Sequence, residues 1–275
     1  MIPTVEWQVA GACNYSCSYC IQSPKYRRGR PAAQTLQAAI AALAALPGVW
    51  EIKCSGGEAF AHPLFLDLAV PDLMARTPHR ISALTNFSAS DADLERFATL
   101  TEGRLSVMSC SLHLEHTAAE PFAARVRAFS DRVGPAVRVV VNQVVRPGAV
   151  AEAARCKAVV EAQGLRWYPQ LYKEKGPGGK MRVAAYPDAA LLAALLGDQP
   201  GPERANLAPS YRGRRCWAGA RYFTLDQTGL AWRCRSAKRE GEAPLGDVHD
   251  GPLRLGEAPS VCPFHLCTCS VPATA

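Results

Sequence analysis

The segment Cys13-Asn14-Tyr15-Ser16-Cys17-Ser18-Tyr19-Cys20 decides how this chain of 275 residues is interpreted. Its three thiols are separated by three and by two residues, so a loop can curl them around a single metal centre. Three thiolates leave one iron of a cubane cluster without a protein ligand, and an open coordination position is typical of catalytic rather than structural metal sites. The segment directly follows a predicted strand over Val5–Val9.

Cysteine usage as a whole also indicates metal binding. The chain carries eleven cysteines, an odd number, and most of them are grouped near its two ends. The N-terminus lacks the basic and apolar regions of a secretion signal, and no run approaches the ~18 apolar residues needed to cross a bilayer. We therefore expect a cytoplasmic protein without membrane association. Because disulfides do not persist in that compartment, grouped thiols point to a metal.

Composition and periodicity predict the fold class. Hydrophobic residues make up 48% of the chain and charged residues 20%, which is enough apolar material for a large core. Short β-branched runs alternate with Ala/Leu-rich runs, and several strand candidates are apolar on both faces, as in parallel sheets. Six β/α units are too few for the closed eight-stranded barrel, so we predict an α/β fold with an open, partial (β/α)6 TIM-like barrel. Strands are predicted over Val5–Val9, Val49–Cys54, Ile81–Asn86, Leu105–His113, Val137–Val145 and Leu165–Tyr172, and helices over Ala32–Leu46, Pro63–Arg76, Asp91–Leu100, Ala118–Val133, Ala149–Gln163 and Pro187–Leu196.

A stretch rich in Pro and Gly near residue 200 divides the chain. We expect a barrel domain over 1–200 and a small Cys-rich domain over 201–275. Within the latter, Tyr222–Leu225 and Leu230–Trp232 flank Asp226-Gln227-Thr228-Gly229, which predicts a β-hairpin. So short a loop-rich segment can barely fold on apolar burial alone, and a metal would staple it.

The C-x3-C-x2-C spacing, with Tyr19 directly before the last cysteine, resembles the signature of the radical S-adenosylmethionine (radical SAM) superfamily. The resemblance implies that Cys13, Cys17 and Cys20 hold a 4Fe–4S cluster above a partial barrel, and that the amine and carboxylate of SAM bind its open iron. One electron from the cluster then cleaves SAM to methionine and a 5′-deoxyadenosyl radical, which abstracts hydrogen from the substrate. The alternatives are a zinc site completed by His62 or another residue, and three buried structural cysteines.

The turn after the second predicted strand reads Gly56-Gly57-Glu58. Glycines permit a tight strand-to-helix turn and a close approach of backbone to a ligand. The tripeptide resembles the GGE motif of the family, which binds the amine of SAM. The family often places a proline next, and Ala59 stands there in this chain.

Polar residues at other strand ends complete the predicted site. By the same resemblance, Asn86 and Ser111 are candidates to contact the ribose and carboxylate of SAM. Asn142 interrupts an apolar strand and needs a buried partner, for which the ribose is one candidate. His113 faces either the substrate, as an acid–base group, or a structural partner. Cys54 is a candidate hydrogen donor beside the site, although a small apolar filler is the commoner role of such a cysteine.

A second group of cysteines lies near the C-terminus. Cys216 and Cys234 are spaced C-x12-G-x4-C, and Cys262, Cys267 and Cys269 follow as C-x4-C-x1-C. The pattern resembles the C-terminal twitch or SPASM extensions of some radical SAM enzymes. Five thiols suffice for one auxiliary 4Fe–4S cluster with one thiol left over, which favours the shorter twitch type. Cys216 and Cys234 are predicted ligands, any two of the last three complete the set, and a zinc knuckle is the structural alternative.

The charge distribution gives weak information on partners. The formal net charge is +7, but the basic residues are scattered without the aromatic-interleaved stripe of a nucleic-acid-binding surface, so we expect no nucleic-acid partner. The chain begins almost at the first predicted strand, so we expect no leader-peptide-binding domain. We therefore favour a small polar substrate, such as a sugar or aminocyclitol of natural-product biosynthesis, that is oxidised or epimerised. The resemblance implies reduced flavodoxin or ferredoxin as electron donor.

Two other functions remain open at this point. A radical SAM maturase of a ribosomal peptide, forming a cross-link or an epimer, uses the same motifs with a separate recognition protein. A zinc-stabilised binding module without catalysis belongs to another class, and it would be colourless where thiolate-bound iron–sulfur clusters are brown.

Overall fold

Six parallel strands hydrogen-bonded in chain order form the centre of the molecule. The structure is a computed structural model that describes residues 2–22, 26–176, 181–197 and 206–267. The order β1-β2-β3-β4-β5-β6 confirms the predicted α/β fold with a partial TIM-like barrel. These strands are β1 (Thr4–Ala10), β2 (Glu51–Gly56), β3 (Arg80–Thr85), β4 (Leu105–Leu112), β5 (Arg138–Val145) and β6 (Arg166–Leu171).

Helices follow each of these strands and cover one face of the sheet. Alternate residues of β1 show how the two faces differ, because side chains along a strand point to opposite sides. Val5, Trp7 and Val9 are buried in the main hydrophobic core, whereas Gln8 between them lines a cavity. The helices are α1 (Ala33–Ala44), α2 (Val70–Arg76), α3 (Asp91–Leu100), α4 (Ala119–Val133), α5 (Val150–Ala162) and α6 (Ala189–Leu196).

Most predicted elements are confirmed with ends shifted by no more than two residues, but the helix predicted over Pro63–Arg76 is not regular. It begins as a π-helix over Phe65–Ala69 and becomes α-helical only at Val70. Pro71 supplies the physical reason, because it has no amide hydrogen to donate and its ring crowds the carbonyl four residues earlier. A wider turn before the proline accommodates both constraints.

The predicted C-terminal hairpin is confirmed as β10 (Tyr222–Leu225) and β11 (Leu230–Trp232), an antiparallel pair. Its position was not foreseen. Strand β10 pairs in parallel with β1, and β12 (Gly246–Asp247) follows β11, so the described sheet has nine strands. The predicted domain boundary falls within residues 198–205, which lie outside the described residues.

Three further pieces complete the described fold. The strands β7 (Lys173–Lys175) and β8 (Met181–Val183) form a separate hairpin after β6. The short helix α7 (Arg235–Glu240) follows β11, and β9 (Arg215–Cys216) pairs with β13 (Ser260–Val261). Among the described residues, no helix combines the length and apolar character that a membrane span needs.

Candidate functional site

A cavity of about 870 Å³ opens at the carboxyl ends of the parallel strands. Residues at the ends of four strands line it. They are Gly56 at the end of β2, Thr85 at the end of β3, Ser111 next to the last residue of β4 and Leu171 at the end of β6. Active sites of barrel folds gather at this edge because the loops that follow the strands converge there. Volumes of about 300–1,000 Å³ are typical of small-molecule and cofactor sites.

The three N-terminal thiols share this cavity. Cys13, Cys17 and Cys20 all line it, and no other cysteine is among its described lining residues. Burial raises the pKa of Cys13 and of Cys17, and the charges of the neighbouring cysteines raise both pKa values further. Thiols whose neighbours disfavour their ionisation, as at Cys13 and Cys17, suit a cationic centre, which stabilises the thiolates.

One backbone N–H group and one side-chain amide donate to the sulfur of Cys13. The amide of Tyr15 donates to Sγ of Cys13 at 3.4 Å, and Nδ2 of Asn86 lies 3.8 Å from the same sulfur. Such N–H···S contacts tune bound iron–sulfur clusters. The donor set, three soft thiols with a fourth position left to a ligand, therefore fits a 4Fe–4S cluster at this loop.

Contacts from other elements hold the cysteine loop. Glu115, in the loop after β4, accepts hydrogen bonds from the amide of Ser18 at 2.8 Å and from its hydroxyl. At the start of the loop, the amides of Gly11 and Ala12 both donate to the carbonyl of Gly29 at 2.9 Å. The loop thus has a fixed path at both ends, and no local sequence pattern indicated the role of Glu115.

The two glycines of the GGE turn pack against the backbone that leads into the cysteine loop. A Cβ added to Gly56, whose φ is +143°, would lie 2.0 Å from the carbonyl oxygen of Ala10. A Cβ on Gly57 would lie 2.2 Å from the carbonyl oxygens of Gly11 and Ala12. Both glycines line the cavity as well, but steric contact with β1 and its loop already requires them.

Glu58 is buried and is not among the described residues that line the cavity. Its Oε1 accepts from the hydroxyl of Thr85 at 2.8 Å and from the amide of Phe60 at 3.1 Å, and its Oε2 accepts from the amide of Asn86 at 2.6 Å. Burial raises the pKa of Glu58 to about 7, against the effect of these hydrogen bonds. The carboxylate thus ties the GGE turn to the end of β3.

The candidates on β3 and β4 line the cavity. Asn86 donates from Nδ2 to Oδ1 of Asn14 at 2.9 Å, and its own Oδ1 accepts from the amide of Ser88 at 3.0 Å. Ser111 also lines the cavity. The two residues therefore face the same space as the three thiols.

Asn142 on β5 is placed differently from these two. It is the register partner of Ser111, but it is buried and is not among the described lining residues. Its Nδ2 donates to the hydroxyl of Ser109, and its Oδ1 accepts from Nδ2 of Asn206 at 3.4 Å. The polar group in this apolar strand is thus satisfied by protein partners.

Tyr19 and His113 form a pair on the cavity wall. The Tyr19 hydroxyl is hydrogen-bonded to Nδ1 of His113 at 2.8 Å, and the two rings stack with centroids 5.8 Å apart. Burial, with a smaller effect of His116, lowers the pKa of His113 to about 4. Burial also raises the pKa of Tyr19 well above its usual value. Both side chains are therefore neutral near pH 7.

Two candidate site residues named from the sequence, Cys54 and His62, are not among the described residues that line the cavity. Cys54 is wholly buried in the main core, and burial raises its pKa to about 12, so its thiol stays protonated. Both ring nitrogens of His62 are engaged, Nε2 with the carbonyl of Pro31 at 3.0 Å and Nδ1 with the amide of Leu64 at 3.1 Å. His62 is therefore unsuited to complete a zinc site with the N-terminal cysteines.

The described C-terminal cysteines cluster in a second place. Cys216, Cys234, Cys262 and Cys267 pack in one hydrophobic cluster that is separate from the main core, and Cys269 lies outside the described residues. The amide of Ala218 donates to Sγ of Cys216 at 3.4 Å, and the amide of Ala237 donates to Sγ of Cys234 at 3.3 Å. The β10–β11 hairpin, which lies between Cys216 and Cys234 in the chain, thus brings both thiols into one cluster.

Comparison with known proteins decides the fold. No family model and no curated protein matches the chain. Among solved structures, BtrN in complex with AdoMet and 2-DOIA is 14% identical over 91% of this chain and 79% of its own, with a TM-score of 0.54. SuiB of Streptococcus suis bound to its precursor peptide SuiA is 15% identical over 92% and 64%, with a TM-score of 0.65. Native anSMEcpe with bound AdoMet and the Kp18Cys peptide is 14% identical over 90% and 79%, with a TM-score of 0.62.

These three are radical SAM enzymes. The chain has the radical SAM fold. The predicted resemblance is thus confirmed at the level of the fold, and the cavity at the strand ends is where that fold leaves room for ligands. The three neighbours were solved with different ligands, one with 2-DOIA and two with peptides, so the fold leaves the substrate class open.

Sequence reasoning missed the part of the radical SAM fold that covers the cavity. Lys173 and Lys175 of the β7–β8 hairpin and Arg235 and Arg239 of α7 line it. None of these residues belongs to a motif, and only the tertiary structure brings the hairpin and the helix to the strand ends. Alternation in Lys173-Glu174-Lys175 was the one signal available.

Proposed function

We propose that this chain is a radical SAM enzyme. The three thiols that line the strand-end cavity carry the proposal, because they supply a cubane cluster with three ligands and leave the fourth position facing open space. When bound, the cluster supplies the electron that cleaves SAM to methionine and a 5′-deoxyadenosyl radical. Cys13, Cys17 and Cys20 hold the cluster.

The other lining residues bind and orient SAM and the substrate. Backbone groups of Gly56 and Gly57 are proposed to receive the amine of SAM, with Glu58 fixing the turn from behind. Asn86 and Ser111 present an amide and a hydroxyl to the ribose and carboxylate. Asn142 is not proposed to contact SAM directly, since the protein groups of Ser109 and Asn206 already occupy its hydrogen-bonding positions.

Tyr19 and His113 shape the wall beside the cluster. Because the pKa of His113 is lowered to about 4, its imidazole is neutral near pH 7 and serves as a hydrogen-bonding group rather than as an acid. The hydroxyl of Tyr19 orients that ring. The buried thiol of Cys54 is not proposed to react, because the main core surrounds it.

We further propose that the C-terminal cysteines bind an auxiliary 4Fe–4S cluster. The four described thiols equal the number that a cubane requires, and two of them already accept backbone N–H bonds. Cys234 immediately precedes α7, which lines the cavity, so an auxiliary cluster there lies next to the substrate space. A cluster in this place can accept an electron from a substrate radical.

A small polar substrate that is oxidised or epimerised is our first candidate, and a cavity of about 870 Å³ favours it over a long peptide. A ribosomal peptide is the second, because SuiB was solved with its precursor peptide bound. Reduced flavodoxin or ferredoxin is the proposed electron donor, and the cytoplasm the proposed location.

Formation of 5′-deoxyadenosine tests the proposed function. The anaerobically reconstituted chain, given dithionite and SAM, is expected to release it even without substrate. Cys17→Ala should abolish release, whereas Cys156→Ala, which removes a buried thiol of α5, should leave it within about twofold. A zinc protein with the trio Cys17, Glu115 and His116, whose ligand atoms lie within 4.8 Å of one another, would instead be colourless and inactive.

A further inference from the structure

One part of the cavity wall is strongly cationic. The hairpin β7–β8 and the helix α7 both contribute to it, and Glu240 is the one acidic residue among the described residues of the lining. The basic side chains there are Lys173, Lys175, Arg235, Lys238 and Arg239.

Strand alternation places the two lysines of β7 on the same face. Lys173 and Lys175 both line the cavity, whereas Glu174 between them points the other way and pairs with Arg182 of β8, at 2.7 Å between nitrogen and oxygen. The one carboxylate of this strand is therefore occupied on the outer face. The hairpin presents positive charge inward and a neutral ion pair outward.

Two of the cations on α7 have carboxylate partners in the sheet. Arg235 pairs with Glu6 of β1, and Lys238 pairs with Asp226 at the end of β10, at 2.6 Å. These pairs fasten α7 to β1 and to the turn that follows β10. Charge that is used in this way is structural. Among the other basic residues of the lining, Lys173 and Lys175 share one face of one strand.

Lys173 carries an electrostatic cost within the described structure. It is half-buried, and no carboxylate of the described residues lies within ion-pairing distance of it. Burial lowers its pKa to about 8, and the positive charges of Arg235 and Arg239 lower it further. Burying a lysine among cations is unfavourable unless an anion joins them.

We propose that the substrate of this cavity carries an oxyanion, a phosphate or a carboxylate, which Lys173 and Lys175 bind. The inference rests on the proposed function only in that it takes the cavity as the active site. A lysine ammonium is a compact charge on a flexible side chain, so Lys173 and Lys175 suit a point-charge contact with such a group. The anion holds one end of the substrate at β7, while the rest extends toward the cysteine loop, which lines the same cavity.

Two other negative groups compete for these cations. One is the carboxylate of SAM, and the other is the set of thiolates of Cys13, Cys17 and Cys20, which line the same cavity. The test therefore uses the anaerobically reconstituted enzyme saturated with SAM, in which both groups are already present. Isothermal titration calorimetry with inorganic phosphate and, separately, with malonate is carried out at constant ionic strength, because exposed charges are screened by salt.

The wild-type enzyme is expected to show saturable binding of at least one of the two anions. Lys173→Gln should weaken it at least about tenfold, which corresponds to about 1.4 kcal/mol. Lys173→Arg should retain it within about threefold. The matched control is Arg182→Gln, which removes one positive charge from the outer face of the same hairpin and should change affinity less than about twofold.

Preference for phosphate or for malonate identifies which oxyanion the site takes. Absence of saturable binding of both anions by the wild-type enzyme, or an equal loss in Arg182→Gln, overturns the proposal. Lys175→Gln, at an exposed position, gives a second reading if Lys173→Gln does not fold. Release of 5′-deoxyadenosine by the wild-type enzyme is measured in parallel, so that failure of anion binding is distinguishable from failure of SAM cleavage.

Discussion

At the scale of single residues, the chemistry of the site depends on which groups are forced to be neutral and which are forced to ionise together. Burial keeps His113, Tyr19 and Cys54 neutral near pH 7. Cys13 and Cys17, whose pKa values are also raised, are the groups that a metal centre would deprotonate. The sequence predicted these thiols from spacing alone.

Glu58 predicts a pH dependence of stability. Its pKa of about 7 in the folded protein is higher than its ordinary value of 4.5, so the folded state binds more protons between these values. Stability therefore falls as pH rises through that window and levels off above about pH 7. The midpoint of thermal unfolding should fall between pH 6 and pH 8 in the wild type.

Glu58→Gln removes the titrating group and isolates its contribution. Three N–H or O–H groups donate to the Glu58 carboxylate. The variant is expected to have a lower free energy of unfolding, because the NH2 group of glutamine cannot accept and leaves one of these donors without a partner. Its midpoint should nevertheless vary less between pH 6 and pH 8 than that of the wild type. An unchanged difference between the two pH values would show that Glu58 does not titrate there.

At the scale of elements, the GGE turn and the cysteine loop form one unit. The amide of Gly57 donates to the carbonyl of Ala10 at 2.8 Å, and the amide of Glu58 donates to that of Ala12 at 2.9 Å. The sequence predicted glycines for their approach to a ligand, and the structure shows that their nearest neighbour is the chain itself. Local pattern could not reveal this contact, because it joins segments more than forty residues apart.

Gly57→Ala should displace the start of the cysteine loop. Its Cβ would lie 2.2 Å from two carbonyl oxygens, and overpacking of this kind costs about 1–3 kcal/mol. We expect loss of iron from the N-terminal site, measured as iron per chain after reconstitution. Gly256→Ala is the matched control, because the nearest atom to its Cβ lies at 3.7 Å. Full iron loading of Gly57→Ala would contradict the packing argument.

At the scale of the whole molecule, the six parallel strands could be predicted from the sequence, but the addition of β10, β11 and β12 to the same sheet could not. Short β-branched runs predicted the six parallel strands, and several of these runs are apolar on both faces, as in a buried parallel sheet. The pairing of Tyr222 with Thr4, by contrast, joins strands that are remote in sequence. Tyr222 and Phe223 are completely buried, and their strand β10 is buried along its whole length. Such burial is expected of an inner strand of a large sheet. The position of α7, which brings Arg235, Lys238 and Arg239 to the cavity, depends on the pairing of β10 with β1.

Iron content tests whether the two cysteine groups act as separate clusters. Two cubanes predict about eight iron per chain, and Cys234→Ala should lower this to about four. Some uncoupled SAM cleavage should survive in Cys234→Ala, because the N-terminal thiols lie in a different cluster of residues. About four iron in the wild type would remove the auxiliary cluster from the proposal.

Cys13, Cys17 and Cys20 are proposed to hold a cubane whose fourth iron accepts SAM. Electron paramagnetic resonance of the anaerobically reconstituted and reduced Cys234→Ala variant reports on that cluster alone. Addition of SAM should shift the g values of its signal, and Cys17→Ala introduced into the same variant should eliminate the signal. A reduced cubane signal that SAM leaves unchanged, or one that survives without Cys17, would contradict the account.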